Sequence, residues 1–266
     1  MSVWHRLGGL GDQIMRAAAE RLQLRLPADP IPPDWPAIVD RNIPLARALD
    51  PARRDRLLHI AQLVIREVPF EGCAGLDVTE EIRVTIAATA ALLLLGLPYP
   101  RFTKLVRILV YPDTFVPKVV RRPRERMEQA VVPLLGEAWI DGMVVLSWES
   151  VLRDAEHPGD GHNVILHELA HILDAEDGTM DGVPLLDDPS HGREWAHVLR
   201  DEFARQQAAL DHDGDAPLHP YAATDPAEYF AVATEAFFSE PARLRERLPG
   251  LFAQLARYYR QEPAGA

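Results

Sequence analysis

Residues 167–171 read His-Glu-Leu-Ala-His, inside the run Asn163-Val-Ile-Leu-His-Glu-Leu-Ala-His-Ile-Leu-Asp174. On an α-helix, positions i and i+4 share a face, so His167 and His171 can present two imidazole nitrogens to one metal ion. Glu168 is rotated by about 100° from His167. It stands beside the ion rather than on it, placed to act as a general base for water. The pentapeptide also arises by chance, and its frame is what argues for chemistry. No Pro or Gly interrupts the chain from His162 to Asp174, and Leu166, Leu169, Ile172 and Leu173 recur at helical spacing. Asp160 or Asn163 caps the start. Asn163, His167, His171 and Asp174 make one polar stripe on an otherwise apolar helix, which reads as the wall of a cleft.

A catalytic zinc takes three protein ligands and keeps one position open. One common third ligand is a His six residues after the second. Here that position is Asp177, and residues 172–180 hold no His. The other is a Glu from a separate downstream helix, for which Glu194, Glu202, Glu228 and Glu235 are candidates. The run Thr224-Asp-Pro-Ala-Glu-Tyr-Phe-Ala-Val-Ala-Thr-Glu-Ala-Phe-Phe238 is the best supplier. Asp225 and Pro226 form an N-cap and first-turn pair. The helix they open is apolar nearly all round, so a carboxylate on it needs a metal, a cation or several donors. Glu228 and Glu235, seven residues apart, share a face. Glu228 also suits a capping box with Asp225, and Glu235 a buried ion pair. Glu228 is the preferred ligand and Glu235 the alternative, and whichever of them does not bind the ion is expected to hold a ligand His by its other ring nitrogen. Asp174 either supports a ligand in the same way or caps the helix end.

The His167-Glu-x-x-His171 helix with its trailing Leu-Asp resembles the Mlc titration factor A family of bacterial zinc peptidases. So does Tyr221-x-x-x-Asp-Pro-Ala-Glu228-Tyr-Phe-Ala-Val-Ala, continuing into Glu235-x-Phe-Phe. The metal-site layout of that family is similar to the catalytic domain of anthrax lethal factor. The resemblance runs over roughly residues 20–260, and these two segments are its most specific parts. It implies that His167, His171 and Glu228 bind Zn2+, that Glu168 is the catalytic base, and that Tyr221 donates to the developing oxyanion. It implies a modest aminopeptidase activity, and binding to a transcriptional repressor of sugar uptake. Tyr221 also makes chemical sense by itself, since a phenol donor can share the negative charge of a tetrahedral intermediate. A half-buried structural Tyr next to Pro220 is the plain alternative, and His219 is an alternative donor.

Two functions from different classes follow. One is a zinc-dependent peptidase in which Glu168 takes a proton from the attacking water and returns it to the leaving amine. The other is a non-catalytic protein that titrates a transcriptional repressor, with zinc structural and Glu168 dispensable. The chemistry at zinc would also serve a non-peptide amide. The formal charge of −12 argues against direct nucleic-acid binding. A single cysteine, Cys73, excludes an internal disulfide and fits a reducing compartment. The start, Met-Ser-Val-Trp-His-Arg-Leu-Gly-Gly, has no apolar signal core. The most apolar run, Ile86–Leu97, is too short to cross a bilayer. A cytoplasmic protein acting on peptides is expected, with no membrane partner.

The elements that must position the site read as α+β, mainly helical, with a zincin-like, gluzincin-type core and a small mixed or antiparallel sheet beside the metal helix. The chain reads as one domain over 1–266. Residues 1–100 are mostly helical, 101–240 hold the metal-binding core, and 241–266 form a C-terminal helix and tail. The Pro-rich stretch 27–51 carries a short helix at Trp35–Asp40, and helices follow over Arg53–Glu67 and Thr79–Leu95. Leu105–Tyr111 and Ala138–Leu146 read as strands, and Met143–Leu146 is a candidate edge for pairing with an extended substrate. Further helices fall near His191–Leu210 and Pro241–Arg260. The basic cluster Arg121-Arg-Pro-Arg-Glu-Arg126 reads as a solvated loop, with a partner-docking patch as the alternative.

Overall fold

The computed structural model describes residues 27, 29–97, 102–113, 142–211 and 215–265. The basic cluster at 121–126, the first part of the second expected strand and the first 26 residues lie outside them.

Helices dominate, and most begin on a signal that is local in the sequence. Helix α1 spans Trp35–Asn42 and α2 spans Pro51–Glu67, where the Asp50 carboxylate accepts the N–H groups of Ala52 and Arg53. Helix α3, Glu80–Leu94, starts where Thr79 Oγ1 accepts the Ile82 N–H. From Val84 to Leu94 every residue of α3 is buried. The two polar side chains of that buried stretch are satisfied by neutral partners: Asn42 Nδ2 donates to Thr85 Oγ1 at 3.0 Å, and Thr89 Oγ1 donates to the Thr85 carbonyl at 2.9 Å.

Three short strands, β1 (Phe70–Gly72), β2 (Arg107–Tyr111) and β3 (Met143–Ser147), form a sheet in the order β1-β2-β3. Both pairings are parallel, with Phe70 opposite Ile108, and Ile108 and Val110 opposite Val144 and Leu146. The expected mixed or antiparallel arrangement is therefore corrected for the described strands. The reason is in the connections: β1 and β2 are joined through α3, and such a long crossover returns the chain in the same direction, whereas antiparallel neighbours need only a hairpin. Strand β1 is three residues long and left no period in the sequence.

β3 runs directly into α4 (Trp148–Glu156), which Ser147 caps. Helix α5 (Val164–Asp174) carries the His-Glu-x-x-His run. Of the two candidate caps it is Asn163 whose side chain accepts the Leu166 N–H, at 3.0 Å. Helices α6 (Pro189–Asp211), α7 (Pro226–Ser239), α8 (Pro241–Arg247) and α9 (Pro249–Tyr259) complete the described order. The single terminal helix expected over Pro241–Arg260 is two helices. Pro249 has no N–H to continue the ladder, and Leu248 departs from helical dihedrals at φ −135°, ψ 58°. The buried apolar side chains join into one cluster in which α5 packs against α7, α3 and β3. Among the described residues no helix is long and apolar enough to cross a membrane.

Candidate metal centre

Helix α5 is buried from Ile165 through Asp174, ionisable residues included, and α7 is buried from Ala227 through Phe238. The two helices lie against each other, so the polar stripe of one meets the carboxylates of the other. His167 Nε2 and His171 Nε2 are 3.3 Å apart. Glu228 Oε2 lies 3.0 Å from the first and 3.4 Å from the second. Two ligands of a tetrahedral ion with bonds of about 2.0–2.1 Å stand about 3.3–3.4 Å from each other. The triangle of donors therefore has the size such an ion requires, and two imidazoles with one carboxylate suit a borderline metal. Among the described residues these three form the one group of ligating side chains close enough to share an ion.

The far side of His167 is also held. Its Nδ1 lies 2.7 Å from Glu235 Oε1, and Glu235 Oε2 accepts the Asn163 N–H at 2.6 Å. Glu235 thus fixes the ring that Nε2 turns towards Glu228, and joins the N-terminus of α5 to the middle of α7. Asp154 adds a second carboxylate there, accepting the Val164 N–H at 2.7 Å. Negative charge at a helix N-terminus is favourable, yet burial pushes the Asp154 carboxyl up to about 6. No periodicity in the sequence singles out Asp154. At the other end of α5, Asp174 accepts the Gly182 N–H at 2.9 Å, and burial pushes its carboxyl up to about 7.

The charges on the donor group follow from these contacts. Burial would lower the His167 imidazole, but its bonds to Glu228 and Glu235 outweigh that and hold it well above the ordinary value. Burial would raise Glu228, and the two histidines bring it below the ordinary carboxylate range. Burial and the neighbouring His167 charge lower His171. In the metal-free protein a proton on His167 therefore supplies the positive charge that the carboxylates call for, the role a cation takes when it binds.

A cleft of about 510 Å3 opens beside this group. Val145, Leu146, Val164 and Val232 give it apolar walls, and His167, Glu168, Tyr221 and His219 line it. Tyr221 donates its O–H to Glu228 Oε1 at 3.0 Å. Burial and the Glu228 charge raise the phenol, so it remains a donor at neutral pH. His219 accepts the Tyr221 N–H on Nδ1 at 3.3 Å and caps the 3-10 turn Pro220–Ala223. Glu194 and Glu202 lie elsewhere, on α6, paired with Arg257 and Arg205. The capping expected of Glu228 takes a different form. Its N–H is received by Asp225 Oδ1 at 2.9 Å, while its side chain turns to the histidines.

The model of the glucose-regulated metallo-peptidase M90 family matches residues 16–260. An uncharacterized Synechocystis protein, slr2042, is 38% identical over 239 residues, covering 88% of this chain and 86% of that one. A protein named Mlc titration factor A from Serratia proteamaculans is 32% identical over 228 residues, covering 83% of this chain and 85% of that one. One of the same name from Yersinia pestis is 31% identical over 229 residues, covering 84% and 83%. The family implies a metal ion, and the buried triangle of His167, His171 and Glu228 has the donors and spacing to hold one. A family model matched over nearly the whole chain and relatives above 30% identity make the same assignment: this chain belongs to the glucose-regulated metallopeptidase M90 family.

Proposed function

We propose that the protein is a zinc-dependent peptidase acting as an aminopeptidase, built as one domain with a gluzincin-type, zincin-like core and working in the cytoplasm. The observation that carries this reading is the convergence of two imidazoles and a carboxylate, at tetrahedral spacing, on one side of a cleft that Glu168 also lines. His167, His171 and Glu228 would hold the ion, and Glu235 would keep His167 in its ligating orientation. Bound zinc acts as a Lewis acid on the scissile carbonyl and lowers the pKa of water.

The remaining work falls to side chains of this chain. Glu168, buried on the cleft side of α5, accepts the proton of the attacking water and hands it to the leaving amine. Tyr221 donates its O–H to the carbonyl oxygen as that atom gains charge. β3 is the outer strand of the described sheet, and its Val145, Leu146 and Ser147 line the cleft. An extended peptide can add to that edge by backbone pairing, which covers the expected Met143–Leu146 segment.

The test is hydrolysis of a panel of aminoacyl chromogenic amides, free and N-acetylated, by the zinc-loaded protein and by Glu168→Gln. The wild type should turn over the free-amine substrates. The variant should bind zinc equally and lose about 10²–10⁴-fold in turnover. Equal rates on acetylated substrates would remove the aminopeptidase assignment and keep the peptidase.

A second reading rests on the name that two relatives share, Mlc titration factor A. On it, the chain binds a transcriptional repressor, zinc is structural, and Glu168 is dispensable. Zinc binding without turnover by either protein, together with capture of purified repressor by both, would favour it.

A further inference from the structure

We propose that Gly182 is the positioning residue of the metal centre: it sets how far Glu228 stands from the two histidines. The proposal rests on the reading of Glu228 as the third ligand. The ligands come from two helices, His167 and His171 from α5 and Glu228 from the first turn of α7. Gly182, in the loop between α5 and α6, touches both helices and a third. Its N–H donates to Asp174 Oδ2 at 2.9 Å, three residues beyond His171. Its carbonyl accepts Trp195 Nε1 of α6 at 2.8 Å. Its Cα lies against the carbonyl of Pro226, two residues before Glu228, so closely that a Cβ would overlap that oxygen and stand 2.9 Å from Leu199 Cδ2. Its φ of +79° lies in the left-handed region that favours glycine.

This junction is sealed. Asp174 is 0% exposed and Trp195 1%. Among the described residues Asp174 Oδ1 has no hydrogen-bond partner, so this fully buried carboxyl is held through its contact with Gly182. A buried carboxyl is costly, and its partner here is the backbone of a loop rather than a cation. That choice makes sense if the loop has to be held at a fixed place. Two hydrogen bonds fix Gly182 from the sides of α5 and α6, so a side chain at 182 presses on Leu199 Cδ2 and, more closely, on the Pro226 carbonyl, and Glu228 moves with Pro226. Metal–ligand distances tolerate about 0.2 Å, less than the displacement needed to relieve such an overlap.

The experiment loads the metal-free full chain with Co2+ and reads affinity and visible absorption, with thermal unfolding of each metal-free variant alongside. Gly182→Ala should bind at least about tenfold more weakly, with its Co2+ spectrum shifted towards that of Glu228→Gln. Asp174→Asn keeps an oxygen for the Gly182 N–H and should stay within about twofold of wild type, while Asp174→Ala should weaken binding as Gly182→Ala does. The Asp174 pair decides the matter if Gly182→Ala does not fold. Wild-type affinity and spectrum in folded Gly182→Ala, or in Asp174→Ala, would overturn the proposal while leaving Glu228 a ligand. So would a lower unfolding temperature with an unchanged spectrum, which is a structural role alone. Wild-type affinity and spectrum in Glu228→Gln would instead remove the ligand reading, and this proposal with it.

Discussion

Helices α3 and α5 are both buried along most of their length, and both are framed by Leu, Ile and Ala, yet they carry opposite polar loads. Along its buried stretch α3 holds two threonines, satisfied at 3.0 and 2.9 Å by an amide and a backbone carbonyl. α5 holds His167, Glu168, His171 and Asp174, four ionisable groups in eight residues, every one buried. Burial of such groups opposes folding unless each is paired and hydrogen-bonded. The contrast separates two purposes: α3 is built to stabilise the molecule, and α5 holds a costly constellation in place. Substitutions in the two helices should therefore fail in different ways.

The largest expected effect tests that separation. Leu93→Ala removes a side chain that is 0% exposed and should destabilise the protein by about 3 kcal/mol. Turnover per folded molecule should be unchanged. Glu168→Gln should do the reverse, leaving the unfolding midpoint in place while turnover collapses. Chemical denaturation and active-site-normalised kinetics on the same two variants check both halves. Loss of specific activity in folded Leu93→Ala would erase the distinction between the helices.

A smaller effect concerns the hold on His167. Glu235→Gln should weaken metal binding by about 10–100-fold. The pH dependence sharpens this. His167 is raised in the folded, metal-free chain, chiefly because its bonds to Glu228 and Glu235 outweigh burial. Its contribution to metal-free stability is therefore fully present below its unfolded value of about 6.5 and fades as pH rises towards the folded value. A metal must displace that proton, so affinity should rise by up to about tenfold per pH unit between pH 6 and 8. Competition titrations with a chromophoric chelator read the slope. In Glu235→Gln it should flatten, since one of the two carboxylates that hold the proton is gone.

The same contrast explains what the sequence reveals and what it conceals. α5 and the start of α7 are legible because their signals are local: helical spacing of Leu166, Leu169, Ile172 and Leu173, and the Asp225-Pro226 start. The proximity of Glu228 and Glu235 to the histidines follows from a shared face, but which of them meets Nε2 and which Nδ1 depends on how α7 docks. Asp174 stays open between support and cap for a related reason, because its partner, Gly182, is fixed by the return of a loop and not by helical phase. The parallel sheet is hidden by its size. Strands of three to five residues carry little period, and their direction is decided by the crossovers between them. Asp154, ten residues before Val164, enters the site only through tertiary packing.

The smallest effect asks whether a hydrogen bond on α3 differs in kind from one on α5. Thr85→Val keeps the shape of a side chain that is 1% exposed and removes the acceptor for Asn42 Nδ2. That amide also donates to Glu81 Oε1 at 3.0 Å, so it is not left bare. The loss should then be only about 1 kcal/mol, the net worth of one exchanged hydrogen bond. Metal affinity and turnover should not move. Glu235→Gln is just as conservative in shape and also retains an acceptor, yet it should alter affinity and pH slope. The two substitutions remove comparable contacts from comparably buried places. A threonine bond on α3 acts only on the folding equilibrium, whereas a carboxylate beside His167 also sets the basicity of the ring nitrogen that faces Glu228. Equal responses in both variants, read by the same unfolding and metal titrations, would mean that α5 is simply another core helix.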